Sequence, residues 1–429
     1  MIFDDLAGQE AVVAQLTRAA RAASAVLAGK RAEPGAMTHA WLFTGPPGSG
    51  RSVAARDFAA ALLCPANRAA SGSVVPPGAS TGDAPGASIG DPPGASIGGP
   101  PGAGIGDGTC ASCHQVYAGT HADLLLVRPE GLSYGVKQTR DLVLRAAGAP
   151  AGGRWRVVLF EDADRCTEQA ANALLKAIEE PAPRTVWLLC APSAEDLVPT
   201  IRSRCRVVTL VVPSSAAVAK VLTERDGIDP GKALAAARAA QGHVGRARRL
   251  AQDGEAARRR AEVLGVPVKA VSLGPALTMA ASLVKTAEEE AKAVTEALDE
   301  PEREALRKAY GEGSTGKGVA KAMRGMAGAM SDLENRQKSR ATRVKRDTLD
   351  QALLDLVGFY RDVLMLQLGA EVELANADRE DDLRRVVRGS TPESTLRRMQ
   401  AIMRCRERLT LNVAPLLAVE EMTLSLAKG

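Results

Sequence analysis

Short apolar runs alternate with helix-like segments in the first half of the chain, whereas the second half lacks such runs. Three of the runs, "AWLFT" (40–44), "RWRVVLFEDAD" (154–164) and "RTVWLLCAP" (184–192), have the length and composition of buried strands. Strands that alternate with helices predict an α/β domain with a mainly parallel sheet. We place this domain at residues 1–212.

Helical periodicity is clearest in "TEQAANALLKAIEE" (167–180), where apolar residues recur at intervals of three and four. Thr167 is placed to cap this predicted helix, and Pro181 follows its end. After Val212 the pattern is helical throughout. It predicts a small helical domain at 213–265 and an all-α domain at 266–429. The amphipathic segment Thr348–Gly369 suits either internal packing or assembly with other helices.

An imperfect eight-residue repeat interrupts the α/β domain. "PPGASTGD APGASIGD PPGASIGG PPGAGIGD" (76–107) consists largely of Pro, Gly, Ala and Ser. Such a segment buries too little apolar surface to offset its ordering entropy. We therefore predict a disordered insertion at about 66–109.

Composition and charge are those of a globular protein without a membrane span or a disulfide framework. Of 429 residues, 45% are hydrophobic, 24% charged and 3% aromatic, and the net charge of +5 permits nucleic-acid contact without requiring it. No apolar run approaches the ~18 residues of a membrane span, and "MIFDDLAGQE" lacks a basic signal-peptide start. The chain is expected to be cytoplasmic, without a membrane partner. Seven cysteines argue against a disulfide framework.

A glycine-rich loop follows the first predicted strand. "TGPPGSGRS" (44–52) fits the phosphate-loop pattern G-x-x-x-x-G-K-[ST] except at Arg51. Gly45, Gly48 and Gly50 would let backbone N–H groups approach phosphates, and Ser52 occupies the hydroxyl position. Arginine is longer and planar, so Arg51 replaces the usual lysine imperfectly.

The acids after the second predicted strand also depart from the pattern of a catalytic ATP site, as Arg51 does. P-loop ATPases of the AAA+ type usually have Asp followed by Glu there, to hold Mg²⁺ and position water. This chain has Glu161 followed by Asp162, and Pro192 where a third strand usually provides a polar sensor. A misplacement of about 1 Å can cost about 10²-fold in rate. The pattern indicates an ATPase fold without turnover of its own.

A fourth motif is intact. "PTIRSRC" (199–205) places Ser203, Arg204 and Cys205 in a turn after the third predicted strand. Arg204 could stabilise the γ-phosphate of a neighbouring subunit in trans, or it could pair with a local carboxylate.

The chain resembles clamp-loader subunits of bacterial DNA polymerase III, particularly those of the delta-prime type. The resemblance covers most of residues 1–250 and rests on "FDDLAGQE", "HAWLFTGPPGSGRS", "CASCHQVYAGTHADLLLV", the segment from "LFEDADRC" to "TIRSRC", and "GHVGRARRL". It implies an α/β AAA+ P-loop domain, a small helical lid and an all-α collar.

The resemblance also implies a function. Delta-prime subunits act as rigid stators that neither bind nor hydrolyse ATP productively, so ATP and Mg²⁺ binding is expected to be weak or absent. Their serine–arginine–cysteine arginine, matched by Arg204, completes the ATP site of an adjacent motor subunit. The expected partners are gamma/tau-type motor subunits, a delta-type subunit, the sliding clamp and, through the complex, primed DNA. The chain would then be a component of a DNA-directed DNA polymerase holoenzyme.

A zinc module is implied by the same family. Cys64, Cys110 and Cys113 match three of its four cysteine ligands, and Cys110 and Cys113 have the C-x-x-C spacing of a metal knuckle. Asp107 occupies the fourth place. Either Asp107 or His114 could complete a zinc site, or the site is degenerate and empty.

The helical lid departs from the ATPase members of the family. In "GHVGRARRL", Gly245 stands where they carry a second sensor arginine. Arg246, Arg248 and Arg249 could face DNA phosphates, a partner or solvent. Two alternatives to the stator remain: an active motor ATPase and a zinc-dependent nucleic-acid-binding module, for which aromatic residues are few.

Overall fold

The computed structural model describes residues 2–68, 105–129, 131–309, 319–411 and 413–428. The described chain forms two compact units: Met1–Arg128 with Gly135–Pro213, and Pro129–Tyr134 with Ser214–Gly429. Most of the predicted disordered insertion lies outside the described residues. No helix in the described ranges is long and apolar enough to cross a membrane.

A five-stranded sheet, parallel throughout, forms the centre of the first unit in the order β2-β3-β4-β1-β5. Its strands are β1 (Ala40–Thr44), β2 (Leu124–Val127), β3 (Arg156–Phe160), β4 (Thr185–Ala191) and β5 (Arg206–Thr209). The predicted α/β fold class is therefore confirmed, and β1, β3 and β4 match the three predicted strands. The edge strands β2 and β5 were not predicted.

Helices flank this sheet. They are α1 (Glu10–Leu27), α2 (Arg51–Leu63), α3 (Ala111–Ala118), α4 (Val136–Ala146), α5 (Glu168–Glu179) and α6 (Pro199–Arg202). Short 3-10 helices span Pro65–Arg68 and Ala163–Arg165. Helix α5 is the one predicted from periodicity: the Thr167 side chain accepts a hydrogen bond from the backbone N–H of Ala170, and Leu174 and Ile178 are buried.

Helices make up the second unit, as predicted. They are α7 (Ser215–Glu224), α8 (Pro230–Ala240), α9 (Val244–Gln252), α10 (Gly254–Leu264), α11 (Val266–Lys269), α12 (Leu273–Ala309), α13 (Val319–Gln367), α14 (Glu380–Arg388), α15 (Pro392–Thr410) and α16 (Pro415–Lys428), with a 3-10 turn at Ala377–Arg379.

The apolar core of the second unit is built largely around α13. Leu353, Leu356 and Phe359 of the predicted amphipathic segment are buried in it. Val263 and Leu264, at the end of α10, belong to the same apolar cluster. The amphipathic face is therefore covered within this unit. The division into lid and collar at residue 265 stays a prediction.

Candidate nucleotide site and its surroundings

The phosphate loop joins β1 to α2 in a conformation that needs glycine. Gly45, Gly48 and Gly50 have φ values of 154°, 91° and 89°, in the region that side chains disfavour. A Cβ atom on Gly45 would lie 2.4 Å from Ser49 Oγ and 2.7 Å from the Leu210 carbonyl oxygen. The backbone expected from the sequence motif is thus retained.

Internal hydrogen bonds hold this loop in place. Gln9 Nε2 donates to the Val211 carbonyl at 2.6 Å and to the Ser49 carbonyl at 3.3 Å. The N–H of Gly45 donates to the carbonyl of Pro192 at 3.0 Å. Pro192, which has no side-chain donor to offer a phosphate, therefore serves the loop through its backbone.

Arg51 is tied to its own loop. Its Nη1 donates to the Gly45 carbonyl at 2.6 Å, and its Nη2 lies 3.9 Å from Asp162 Oδ1. Only 16% of the side chain is exposed. Ser52 is half-buried in the first turn of α2. The guanidinium that replaces the usual lysine thus has protein partners for its charge.

Arginines also hold the two acids beyond β3. Glu161, whose side chain is 14% exposed, accepts from Arg56 Nη2 at 2.8 Å and from Arg128 Nε at 2.9 Å. Asp162 has a left-handed φ of 49° and lies 3.7 Å from Arg165 Nε. Carboxylate oxygens used in this way are poorly placed to ligate Mg²⁺. Sequence analysis located both acids but missed Arg56 and Arg128.

Arg204 lies in the turn between α6 and β5, with 37% of its side chain exposed. Nη1 donates to the Thr200 carbonyl at 2.6 Å, and Nη2 forms an ion pair with Glu179 at the end of α5. Ser203 Oγ donates to the same carbonyl at 3.2 Å, and burial raises the pKa of Cys205 to about 12. The local carboxylate considered from the sequence is therefore Glu179.

The cysteine cluster contains Asp107. Ligand atoms of Cys64, Asp107, Cys110 and Cys113 all lie within 4.8 Å of one another. Asp107 Oδ1 accepts from the backbone N–H groups of Thr109 and Cys110 at 3.0 and 3.1 Å. These backbone hydrogen bonds hold the pKa of Asp107 below its usual value, and the bond from Cys110 has the largest effect.

The cysteines of this cluster differ in how readily their thiols lose a proton. A hydrogen bond with Cys113 lowers the pKa of Cys64 to about 5, and the same interaction raises the pKa of Cys113. His114, the other candidate fourth ligand, is exposed on α3 and is outside the cluster. The structure thus assembles three cysteines and one aspartate.

The lid arginines contact acids of their own unit. Arg246 pairs with Asp355, Arg248 Nε lies 2.7 Å from Asp226 Oδ2, and Arg249 pairs with Glu290. From the sequence, Arg246, Arg248 and Arg249 could face DNA, a partner or solvent. In the structure each of them has a carboxylate partner within the second unit.

Similarity to known proteins agrees with this architecture. The family described as "DNA polymerase III, delta subunit" matches residues 98–214. DNA polymerase III subunit delta' of Pseudomonas aeruginosa is 34% identical over 199 residues, covering 46% of this chain and 50% of that protein. The Haemophilus influenzae delta' subunit is 39% identical over 130 residues, covering 30% and 40%.

Other matches include gamma/tau subunits. DNA polymerase III subunit gamma/tau of Mycobacterium tuberculosis is 30% identical over 203 residues, covering 47% of this chain and 27% of that protein. A crystal structure of a gamma subunit-related protein from Thermotoga maritima superposes with a TM-score of 0.31 and 16% identity, over 72% of this chain and 83% of that one. The chain spans half or less of the length of these curated relatives.

The parallel sheet and the phosphate loop are those of an AAA+ α/β domain, and the relatives that this domain matches are clamp-loader subunits of DNA polymerase III. Among these relatives, the delta' subunits of Pseudomonas aeruginosa and Haemophilus influenzae have a higher identity to the aligned part of this chain than the gamma/tau subunit has. The aligned part of this chain is therefore similar to clamp-loader delta′ subunits.

Proposed function

We propose that this chain is the non-catalytic stator of a bacterial clamp loader. In this role Arg204 completes the ATP site of a neighbouring motor subunit while the sliding clamp is loaded onto primed DNA during replication. One contrast carries the proposal: Arg51 and Glu161 are largely buried against internal partners, whereas the Arg204 side chain, although paired with Glu179, is 37% exposed.

The charges around the phosphate loop disfavour turnover by this chain alone. A catalytic site needs one carboxylate to hold Mg²⁺ and another to orient water. Here two arginines neutralise Glu161, and Arg51 lies across the loop to Gly45. Glu161 is largely buried, so moving it away from these arginines would leave a carboxylate charge without a partner, which is costly.

Arg204 has the exposure that a contribution in trans requires. An arginine of this kind stabilises the charge that develops on the γ-phosphate and is worth roughly 10³ to 10⁵ in rate where it is known. Its ion pair with Glu179 is partly exposed on both sides, at 37% and 40%. Such pairs are weak, typically about 0.2–1 kcal/mol, so a phosphate can replace the carboxylate.

The partners follow from the relatives. The proteins that this chain matches are gamma/tau and delta' subunits. We therefore propose that gamma/tau-type motor subunits and a delta-type subunit assemble with this chain. The sliding clamp and primed DNA are engaged through that complex.

Reconstitution of the loader tests the stator role. With motor and delta-type subunits present, Arg204→Ala should lower DNA-dependent ATP hydrolysis at the completed site by roughly 10³-fold or more. Arg202→Ala is the matched control, because Arg202 has similar exposure and pairs with Glu195 at 3.7 Å. Wild-type rates in the Arg204→Ala complex, or steady hydrolysis by the isolated chain, would contradict the proposal.

An active motor subunit is the second candidate. The retained loop glycines and the gamma/tau relatives favour it. It predicts ATP turnover by the isolated chain, so the same assay separates the two functions. The zinc-dependent nucleic-acid module has less support, because the lid arginines are engaged with carboxylates.

We also propose that the cysteine cluster binds zinc, with Asp107 as the fourth ligand. Two sulfurs bound at about 2.3 Å to a tetrahedral zinc lie about 3.8 Å apart. Cys64 Sγ and Cys110 Sγ are separated by 3.8 Å, and Asp107 Oδ1 lies 3.8 and 3.7 Å from Cys64 Sγ and Cys113 Sγ. Elemental analysis before and after Cys110→Ser tests this; a parent protein purified without metal chelators that holds no zinc would refute it.

A further inference from the structure

A cavity of about 890 Å³ lies within the second unit, among helices α9, α10, α12 and α13. This volume is in the range of sites that hold small organic ligands. Its wall includes the lid residues Gly245, Arg246 and Arg249, but no residue of the phosphate loop, of the acids after β3 or of the Arg204 turn. The cavity is therefore a separate candidate site.

One part of the wall carries buried positive charge. Arg260, with 9% of its side chain exposed, and Arg246, with 14%, both face Asp355, which is 5% exposed. Arg246 forms the hydrogen bond to Asp355 Oδ1, and Arg260 Nε lies 3.4 Å from the same oxygen. One buried carboxylate is thus shared between two guanidinium groups.

Arg260 Nε has a loose contact only. The Nη2 group donates to Asn376, whereas Nε meets Asp355 Oδ1 at 3.4 Å as an ion pair without hydrogen-bond geometry. Asp378, another acid that acts on Arg260, is more than half exposed and lies near Arg379. A buried donor without a good acceptor is costly, and the acid group of a ligand in the cavity would provide one. The other acids on the wall are Glu262, Glu290 and Asp347, and Glu290 already lies near Arg249 and Arg259.

Another part of the wall is apolar. Met279 and Leu283 of α12, Val263 of α10, and Leu349 and Ala352 of α13 line it. An inorganic ion would leave this surface in contact with water. A ligand with an apolar body would cover it, at about 25 cal/mol per Å² of buried apolar area.

We propose that this cavity binds a small organic anion with an apolar body, whose acid group lies at Arg260 and Arg246. The acid group accepts from Arg260 Nε and balances the second guanidinium beside Asp355. The apolar body packs against α12 and α13. The site is independent of the phosphate loop and of Arg204.

Titration of the full chain with 8-anilinonaphthalene-1-sulfonate, a fluorescent anion with an apolar body, tests the proposal. We expect saturable binding of one probe per chain with an unchanged circular dichroism spectrum. N-phenyl-1-naphthylamine, which has the apolar body without the sulfonate, should bind at least about tenfold more weakly, because a hydrogen bond to a charged group is worth about 1.5–3 kcal/mol. Equal affinity for the two probes would overturn the proposal.

Two variants locate the probe. Arg260→Gln should weaken binding of the sulfonate at least about tenfold, whereas Arg258→Gln, an exposed position on the same helix that pairs with Glu255, should not change it. If Arg260→Gln fails to fold, Leu283→Trp, which fills the cavity without a change of charge, should abolish the site. Binding that persists at wild-type affinity in the folded variants would place the probe elsewhere and refute the assignment.

Discussion

Arg204 and Glu179 form an ion pair between the turn after α6 and the end of α5. The Thr200 carbonyl holds the same guanidinium through Nη1. Arg204 is therefore held near the surface by partly exposed contacts. In the proposed loader, the γ-phosphate of a neighbour would compete with Glu179 for this guanidinium.

Glu179→Gln should release Arg204 without removing it. We expect ATP hydrolysis of the reconstituted loader to stay at the wild-type level or rise up to about fivefold, since an exposed pair is worth about 0.2–1 kcal/mol. Glu180→Gln, the exposed neighbouring residue, is the control. A loss comparable to that of Arg204→Ala would mean that Glu179 is needed to orient the arginine.

Arg51→Lys should not create an ATPase. The substitution restores the residue type of the phosphate-loop motif, but Glu161 remains bound to Arg56 and Arg128. Steady-state hydrolysis by the isolated variant should therefore remain within about twofold of the parent, since a misplaced carboxylate alone can cost about 10²-fold. Turnover raised well beyond that limit would identify Arg51 as the main block.

Asp107 variants should change zinc affinity in opposite directions. Asp107→Ala removes a ligand and should weaken zinc binding at least tenfold, whereas Asp107→Cys provides a fourth thiolate and should strengthen it. His114→Ala is the control, because His114 is exposed outside the cluster. Competition with a chromogenic zinc chelator measures all three. A loss of affinity in His114→Ala equal to that in Asp107→Ala would reverse the assignment.

Gly45→Ala should destabilise the first unit by roughly 1–3 kcal/mol, because strained backbone and overpacking add. The new Cβ would meet Ser49 Oγ at 2.4 Å, in addition to the unfavourable φ. Gly153→Ala controls for backbone strain alone, since Gly153 has a φ of 68° with no atom within 4 Å of the added Cβ. Chemical denaturation of both variants measures the difference between their free energies of unfolding. Equal losses would show that the loop tolerates the side chain.

Much of the first unit could be predicted from local pattern. Strands β1, β3 and β4 are apolar almost throughout because their side chains are buried on both faces of the sheet. The edge strands β2 and β5 have four residues each, and β5 is only partly buried, so its apolar signal is weak. Helix α5 was predictable because its cap and its apolar stripe are both local features.

The candidate site was only partly predictable, for a different reason. Arg51, Glu161 and Asp162 belong to motifs with fixed spacing, so their positions could be inferred. Arg56 lies 105 residues from its partner Glu161, and no periodicity links them. The choice of Asp107 over His114 likewise depends on how a turn folds back onto α2 and α3, which spacing alone does not determine.

The amide of Gln9 fastens the phosphate loop to the segment that leaves the sheet after β5. Because these hydrogen bonds come from a side chain of the protein itself, no small molecule is needed to keep the phosphate loop next to the segment after β5. In the proposed loader, the shape of the turn that carries Arg204 would therefore not depend on a nucleotide in this chain's own loop.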